Sequence, residues 1–249
     1  MRHPASRASL PSALDGATRF GCRRGTERVL AAWDCPGGYC SGCEAFHQPL
    51  AVLSDTSVLA TLPERELRAG LYEVLKCGII RSEPLFRTMT TSARRVLDRD
   101  PSTIETLIAE SVRIKCEVVS ADEKEMGVRK ILNFGHTIGH AIEAETHYSR
   151  FLHGEAVGLG MKAAAWLSQF AGKLDESIAR EIVDAVELYG PIPSAADLAP
   201  ERLLARLAKD KKTIRGSVHF VLATRIGATE IVSDLESGMV LDAIKKAIA

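Results

Sequence analysis

GEAVGLGMKAAAWLSQF, residues 154–170, decides the fold. Its only charges are Glu155 and Lys162, and small or apolar residues fall on most faces of a 3.6-residue spiral. The stretch therefore reads as a buried helix. Helical patterns continue on both sides of it. Thr137–Thr146 precedes it, and segments 175–189, 200–209 and 235–248 follow. Further upstream, Pro63-Glu-Arg-Glu is a helix start, with proline early and acids near the positive end of the dipole. Leu67, Leu71, Val74, Leu75, Cys77 and Gly78 follow at helical spacing. Ser82-Glu-Pro opens a second helix carrying Leu85, Phe86 and Met89, and Asp100-Pro-Ser-Thr-Ile-Glu a third, with Asp100 or Ser102 as cap. Between the last two helices, residues 218–233 are β-branched around Gly227 and read as a small hairpin. The fold class is mainly α: a multi-helical domain with a minor β element and no internal repeat.

The first 45 residues differ in kind. They are rich in Gly, Ser, Pro, Arg and Cys and show neither a helical nor a strand period. Four of the six cysteines lie there, at 22, 35, 40 and 43, and Cys40-Ser-Gly-Cys43 has no obvious fourth ligand for a zinc knuckle. Cys77 and Cys116 sit in apolar helical patterns and read as buried small hydrophobes, in a reduced, cytoplasmic protein. The basic, Ser/Ala-rich start has some transit-peptide character, but an unstructured start is the plainer reading, and no apolar h-region is present. Leu50-Ala-Val-Leu-Ser-Asp55 reads as a buried strand.

Bulk composition narrows the function classes. Of 249 residues, 46% are apolar and 26% charged, enough for a sizeable core. Lys plus Arg equals Asp plus Glu at 32 each, which argues against a general nucleic-acid or anionic-membrane surface but not against a basic pocket for a small phosphate ester. No apolar run approaches the roughly 20 residues of a membrane helix.

The chemistry concentrates in Arg129-Lys-Ile-Leu-Asn133-Phe-Gly-His136-Thr-Ile-Gly-His140-Ala-Ile-Glu143. His136 and His140 are four apart and share one helical face, so they can bind one metal or divide ligation and hydrogen bonding between them. Thr137 stands where a zinc protease has its general-base Glu, so that pattern does not apply. His153, just before the buried helix, is a third imidazole suited to reach inward from a turn. Catalytic zinc commonly takes three protein ligands, and Glu73, a carboxylate on an otherwise apolar helix, is a candidate that needs a partner if buried. Read singly, each histidine is more simply a hydrogen-bonded surface or core residue, and His3, His47, His147 and His219 keep that reading. The density of Lys115, Glu125, Arg129, Asn133 and the three clustered histidines favours a site. Lys76, three positions after Glu73, together with Lys115, Arg129 and the pair Lys211 and Lys212, can neutralise a phosphate or carboxylate, although each lysine alone reads as a solvated surface residue.

Taken together, Leu62-Pro-Glu-Arg-Glu, Gly70-Leu-Tyr-Glu-Val-Leu-Lys76, Asp122-Glu-Lys-Glu-Met-Gly-Val-Arg129, Leu132-Asn-Phe-Gly-His-Thr137, His153-Gly-Glu155 and Asp210-Lys-Lys212 resemble the motifs of 3-dehydroquinate synthases, in that family's order. The resemblance runs from about Phe46 to the C-terminus. It implies cyclisation of 3-deoxy-D-arabino-heptulosonate 7-phosphate to 3-dehydroquinate with loss of phosphate, in the shikimate pathway. It implies a divalent metal, zinc first and cobalt as the alternative, held by Glu73, His136 and His153. Substrate contacts are implied for Lys76, Lys115, Arg129, Asn133, His140 and Lys211 or Lys212, with Glu125 in the same pocket and His140 relaying a proton. Another sugar-phosphate cyclase and an inactive metal-binding fragment are the alternatives. The iron-dependent alcohol dehydrogenases share a two-domain plan but differ in histidine spacing.

The resemblance also implies catalytic NAD, held by an N-terminal α/β domain. No G-x-G-x-x-G and no strand–helix alternation precedes residue 46, and no cofactor-binding residue is assigned. Leu50–Asp55 is expected to be the last strand of that domain. Two readings of residues 1–45 follow: a truncated or frame-shifted product read out of register, or a split enzyme whose N-terminal half is a separate chain. A second copy of the chain in a homodimer is the other protein partner implied, and a sugar phosphate the small one.

Overall fold

The computed structural model describes residues 54–122, 127–213, 218–233 and 235–249, with side chains at 208–213 excluded. The irregular segment 1–45 with its cysteines, all but the end of the Leu50–Asp55 strand, and Glu125 lie outside the described residues. Asp55 caps a 3-10 turn at Thr56–Thr61, its carboxylate accepting from the Ser57 N–H at 2.9 Å.

Among the described residues there are nine α-helices and one two-stranded antiparallel sheet. In chain order these are α1 Glu64–Arg81, α2 Glu83–Thr91, α3 Ala93–Leu97, α4 Pro101–Ala121, α5 His136–Glu145, α6 His153–Phe170, α7 Glu176–Glu187 and α8 Pro200–Thr213. Strands β1 His219–Arg225 and β2 Ala228–Ser233 follow, then α9 Ser237–Ile248. Of the two cap candidates for α4, Asp100 is the one that caps, and Ser82 caps α2. Ser82 Oγ accepts from the Leu85 N–H, and Asp100 Oδ2 accepts from the Thr103 N–H at 2.9 Å.

The apolar stretch 154–170 is the axis of the domain. α6 is buried along nearly all its length and packs against α1, α5, α7, α9 and β1. Its glycines set how closely the neighbours come. A Cβ on Gly160 would lie 1.9 Å from the Gly135 carbonyl oxygen, and one on Gly154 would lie 1.9 Å from that of Ala69. Only residues without a side chain let α5 and α1 reach α6 at those points. The hairpin pairs His219 with Ser233 and Ala223 with Thr229, turns at Gly227 (φ 84°), and docks its tip on α1 through the Gly227 N–H and the Ile79 carbonyl, 2.9 Å apart.

Two sequence expectations change. Cys116 is exposed rather than buried, because α4 turns Leu107, Ile114 and Val118 to the core and Cys116 falls on the opposite face. Lys211 and Lys212 lie within α8 rather than after it, since nothing in Asp210-Lys-Lys-Thr breaks a helix.

Candidate metal and substrate site

The site forms where α1, α4, α5 and the N-terminus of α6 meet. α5 begins at His136 because Gly135, in the left-handed region at φ 80°, turns the chain out of the 3-10 turn Val128–Asn133. A Cβ at Gly135 would also stand 2.7 Å from the Met161 side chain, so glycine is required twice over. His136 is thus the first residue of α5, and His140 lies one turn further on the same face. His153 is likewise the first residue of α6. There Glu155, buried, accepts the Leu152 N–H at 2.8 Å and takes a two-point ion pair from Arg65, both contacts 2.7 Å.

The three imidazoles converge. Ring centroids lie 5.1 Å apart for His136 and His153, 5.4 Å for His136 and His140, and 5.7 Å for His140 and His153. One ligand atom from each falls within 4.8 Å of the others. Glu73, on α1, joins them with Oε1 at 3.6 Å from His136 Nε2. His136 Nδ1 is 3.3 Å from the Phe134 carbonyl and His153 Nδ1 is 3.1 Å from Glu143. Both of those neighbours are acceptors, so the ring protons belong on Nδ1 and each Nε2 keeps its lone pair. Two buried atoms of the cluster have no hydrogen-bond partner among the described residues: Glu73 Oε1 and His153 Nε2. Unsatisfied buried acceptors are costly, and a cation bound at the cluster would give them a partner. Two imidazoles and a carboxylate with an open position is a donor set that suits zinc.

Charge around the cluster agrees. Glu73 is 5% exposed, and its other oxygen accepts from Lys76 Nζ at 2.6 Å. Burial pushes its carboxyl up, but the charge and hydrogen bond of Lys76, with the charge of Lys115, outweigh this and hold it well below the usual carboxylate range. Burial and the Lys76 charge hold the His136 imidazole well below its ordinary value, with Glu73 opposing, so it is neutral and able to ligate. Lys76 is itself only 1% exposed, which corrects its reading as a solvated lysine: it pairs with Glu73 inside the core. Other members are less buried. His140 is open to solvent, and Lys115, Arg129 and Asn133 are half-buried.

Arg129 and Asn133 ride on the 3-10 turn that leads into α5. Asp122, at the end of α4, fastens that turn by accepting the N–H groups of Gly127 at 2.7 Å and Arg129 at 3.0 Å. Lys211 and Lys212 fall in the last turn of α8, which packs on α5, with Glu145 of α5 paired to Arg202 and Arg206. Asp122, Glu143 and Glu155 each hold a site element in place; all three stand in the motifs quoted from the sequence, which gave them no role. Only Glu155 had a local signal there, an acid at the third position of a helix.

The one sheet among the described residues is the β1–β2 hairpin, with no strand–glycine turn–helix unit to take a pyrophosphate. No described helix is long and apolar enough to cross a membrane.

Comparison with known proteins agrees with this geometry. Residues 70–213 match the family model described as 3-dehydroquinate synthase C-terminal. The 3-dehydroquinate synthase of Solibacter usitatus is 53% identical over 205 residues, covering 82% of this chain and 57% of that protein. That of Koribacter versatilis is 48% identical over 201 residues, covering 81% and 55%. Among solved structures, ValA, a 2-epi-5-epi-valiolone synthase of Streptomyces hygroscopicus with NAD+ and Zn2+ bound, aligns with a TM-score of 0.73 at 28% identity, covering 82% of this chain and 57% of that one. A 2-deoxy-scyllo-inosose synthase complexed with carbaglucose-6-phosphate, NAD+ and Co2+ shares the fold, with a TM-score of 0.63 at 23% identity over 77% of this chain and 54% of that one. The chain spans just over half the length of the curated relatives it matches. It belongs to the 3-dehydroquinate synthase family, whose C-terminal helical domain it carries.

Proposed function

We propose that this chain is the metal- and substrate-binding half of a 3-dehydroquinate synthase, acting in the cyclisation of 3-deoxy-D-arabino-heptulosonate 7-phosphate to 3-dehydroquinate, and that turnover requires a dinucleotide-binding half beside it. One observation carries the reading: His136, His140 and His153 each bring a ligand atom within 4.8 Å of the others, Glu73 Oε1 lies 3.6 Å from His136 Nε2, and the buried Glu73 Oε1 and His153 Nε2 have no hydrogen-bond partner among the described residues. Zinc, with cobalt as the alternative, is the ion the donor set favours. The metals named with ValA and with the inosose synthase support the choice. Glu73 rather than His140 completes the ligand set, because Glu73 is buried while His140 faces solvent.

The bound cation supplies Lewis-acid polarisation of a substrate hydroxyl or carbonyl oxygen. Around it, His140 is the imidazole best placed to take a proton from the substrate alcohol and pass it to water. Lys76 keeps Glu73 ionised and, with Lys115 and Arg129, makes the pocket positive for a substrate bearing carboxylate and phosphate. Asn133, on the same turn as Arg129, is a neutral partner for a substrate hydroxyl. The parts given to Lys211, Lys212 and Glu125 rest on the family resemblance. Redox work falls to NAD on the other half, and no step of it is assigned to these residues. Identity of 53% to a 3-dehydroquinate synthase against 28% to a valiolone synthase favours this substrate over that of another cyclase.

The test is phosphate release from 3-deoxy-D-arabino-heptulosonate 7-phosphate with zinc and NAD present. The chain alone is expected to release none. Adding the N-terminal half of the Solibacter usitatus enzyme in trans is expected to start release, and His136→Ala to abolish it. Release by the chain alone would disprove the need for a second half. A folded, zinc-loaded pair that releases none would contradict the assignment.

A further inference from the structure

Three glutamates among the described residues are buried: Glu73, Glu143 and Glu155. Glu73 has Lys76 and Glu155 has Arg65, each within 2.7 Å. Glu143 is the exception. Its carboxylate, on α5, bonds only to an imidazole among the described residues, with Oε1 3.1 Å and Oε2 3.2 Å from Nδ1 of His153 on α6. Among the described residues no Lys or Arg meets this carboxylate, and its one partner there is the His153 ring. A cation on the far side of the same ring would balance its charge.

A carboxylate only accepts, so the proton between the two groups sits on Nδ1. That leaves Nε2 as a lone pair, and Nε2 is the buried atom of His153 that has no hydrogen-bond partner among the described residues. We propose that Glu143 is a positioning residue for the metal: it fixes the tautomer and ring orientation of His153 so that Nε2 is presented to a divalent cation, and it supplies the compensating negative charge. The carboxylate–histidine–metal relay is a recurrent way to orient and strengthen an imidazole ligand. The inference rests on the assignment of His153 as a ligand.

The experiment is titration of the metal-free full chain with Zn2+ in competition with a chromophoric chelator, alongside nitrogen NMR of isotope-labelled histidine rings. Glu143→Ala is expected to weaken zinc binding about 10- to 100-fold. Glu143→Gln, which matches the side chain in size and so carries the test if the alanine variant fails to fold, is expected to weaken it too. Its amide can donate to Nδ1 and let the proton move to Nε2, a change of His153 tautomer that the NMR reads directly. Glu143→Asp is expected to recover part of the affinity. His153→Ala separates the two claims. If it binds zinc as tightly as the unaltered chain, or if the unaltered chain takes up none, His153 is not a ligand and the site assignment falls. If His153→Ala loses zinc while folded Glu143→Gln keeps both affinity and tautomer, the role of Glu143 is overturned.

Discussion

His136 sits where burial and two opposite charges compete. Burial and Lys76 hold its imidazole well below the ordinary 6.5, and Glu73 is too weak an opponent to restore it. The unfolded chain therefore binds a proton that the folded chain refuses once the pH drops below about 6.5. The stability this residue contributes is complete above that pH and is lost as the pH falls, until the folded value is passed. Glu73 adds a loss of the same sign lower down, because its carboxyl is held below the ordinary 4.5. Acidifying the metal-free chain below about pH 6.5 is expected to lower its stability progressively, by at most about tenfold in the folding equilibrium per pH unit from His136. Denaturant unfolding of His136→Gln should show that slope flattened above about pH 5. An unchanged slope would mean that His136 titrates normally in the fold.

At the scale of elements, the site depends on how close α5 and α6 come. The Gly160→Ala methyl would meet the Gly135 carbonyl at 1.9 Å, backbone that cannot move without shifting His136. Overpacking usually costs about 1–3 kcal/mol, and Gly160→Ala should lie at or above the top of that range and weaken zinc binding as well. Gly172→Ala is the control. Gly172 has φ 67° with nothing within 4 Å, so only the left-handed penalty of about 1–2 kcal/mol applies. Equal unfolding free energies for the two variants would refute the close approach. These elements were largely legible beforehand, because α6 is apolar on most faces, α2 and α4 start at Ser and Asp caps, and Gly227 marks the hairpin turn. Where reading failed, the cause was local. Cys116 shares an apolar neighbourhood in sequence but not a face, and α8 continues through its lysines because no glycine or proline stops it.

Across the whole molecule, residue types and spacing brought Glu73, His136, His140 and His153 into view as candidates, and the fold brings them together from α1, α5 and α6. The supporting residues were harder to see. Glu143 lies ten positions before His153, and Arg65 ninety before Glu155, and neither separation has a periodic signature. Only packing shows that Glu143 faces an imidazole, or that Lys76 is buried in an ion pair rather than solvated. In the proposed metal centre Glu73, not His140, completes the ligand set. The most direct test is zinc stoichiometry of the purified metal-free chain and of its Glu73→Gln and His140→Ala variants. One tight equivalent per chain, retained in His140→Ala and lost in Glu73→Gln, is the predicted result. No tight equivalent at all, or one that survives Glu73→Gln and disappears with His140→Ala, would contradict it.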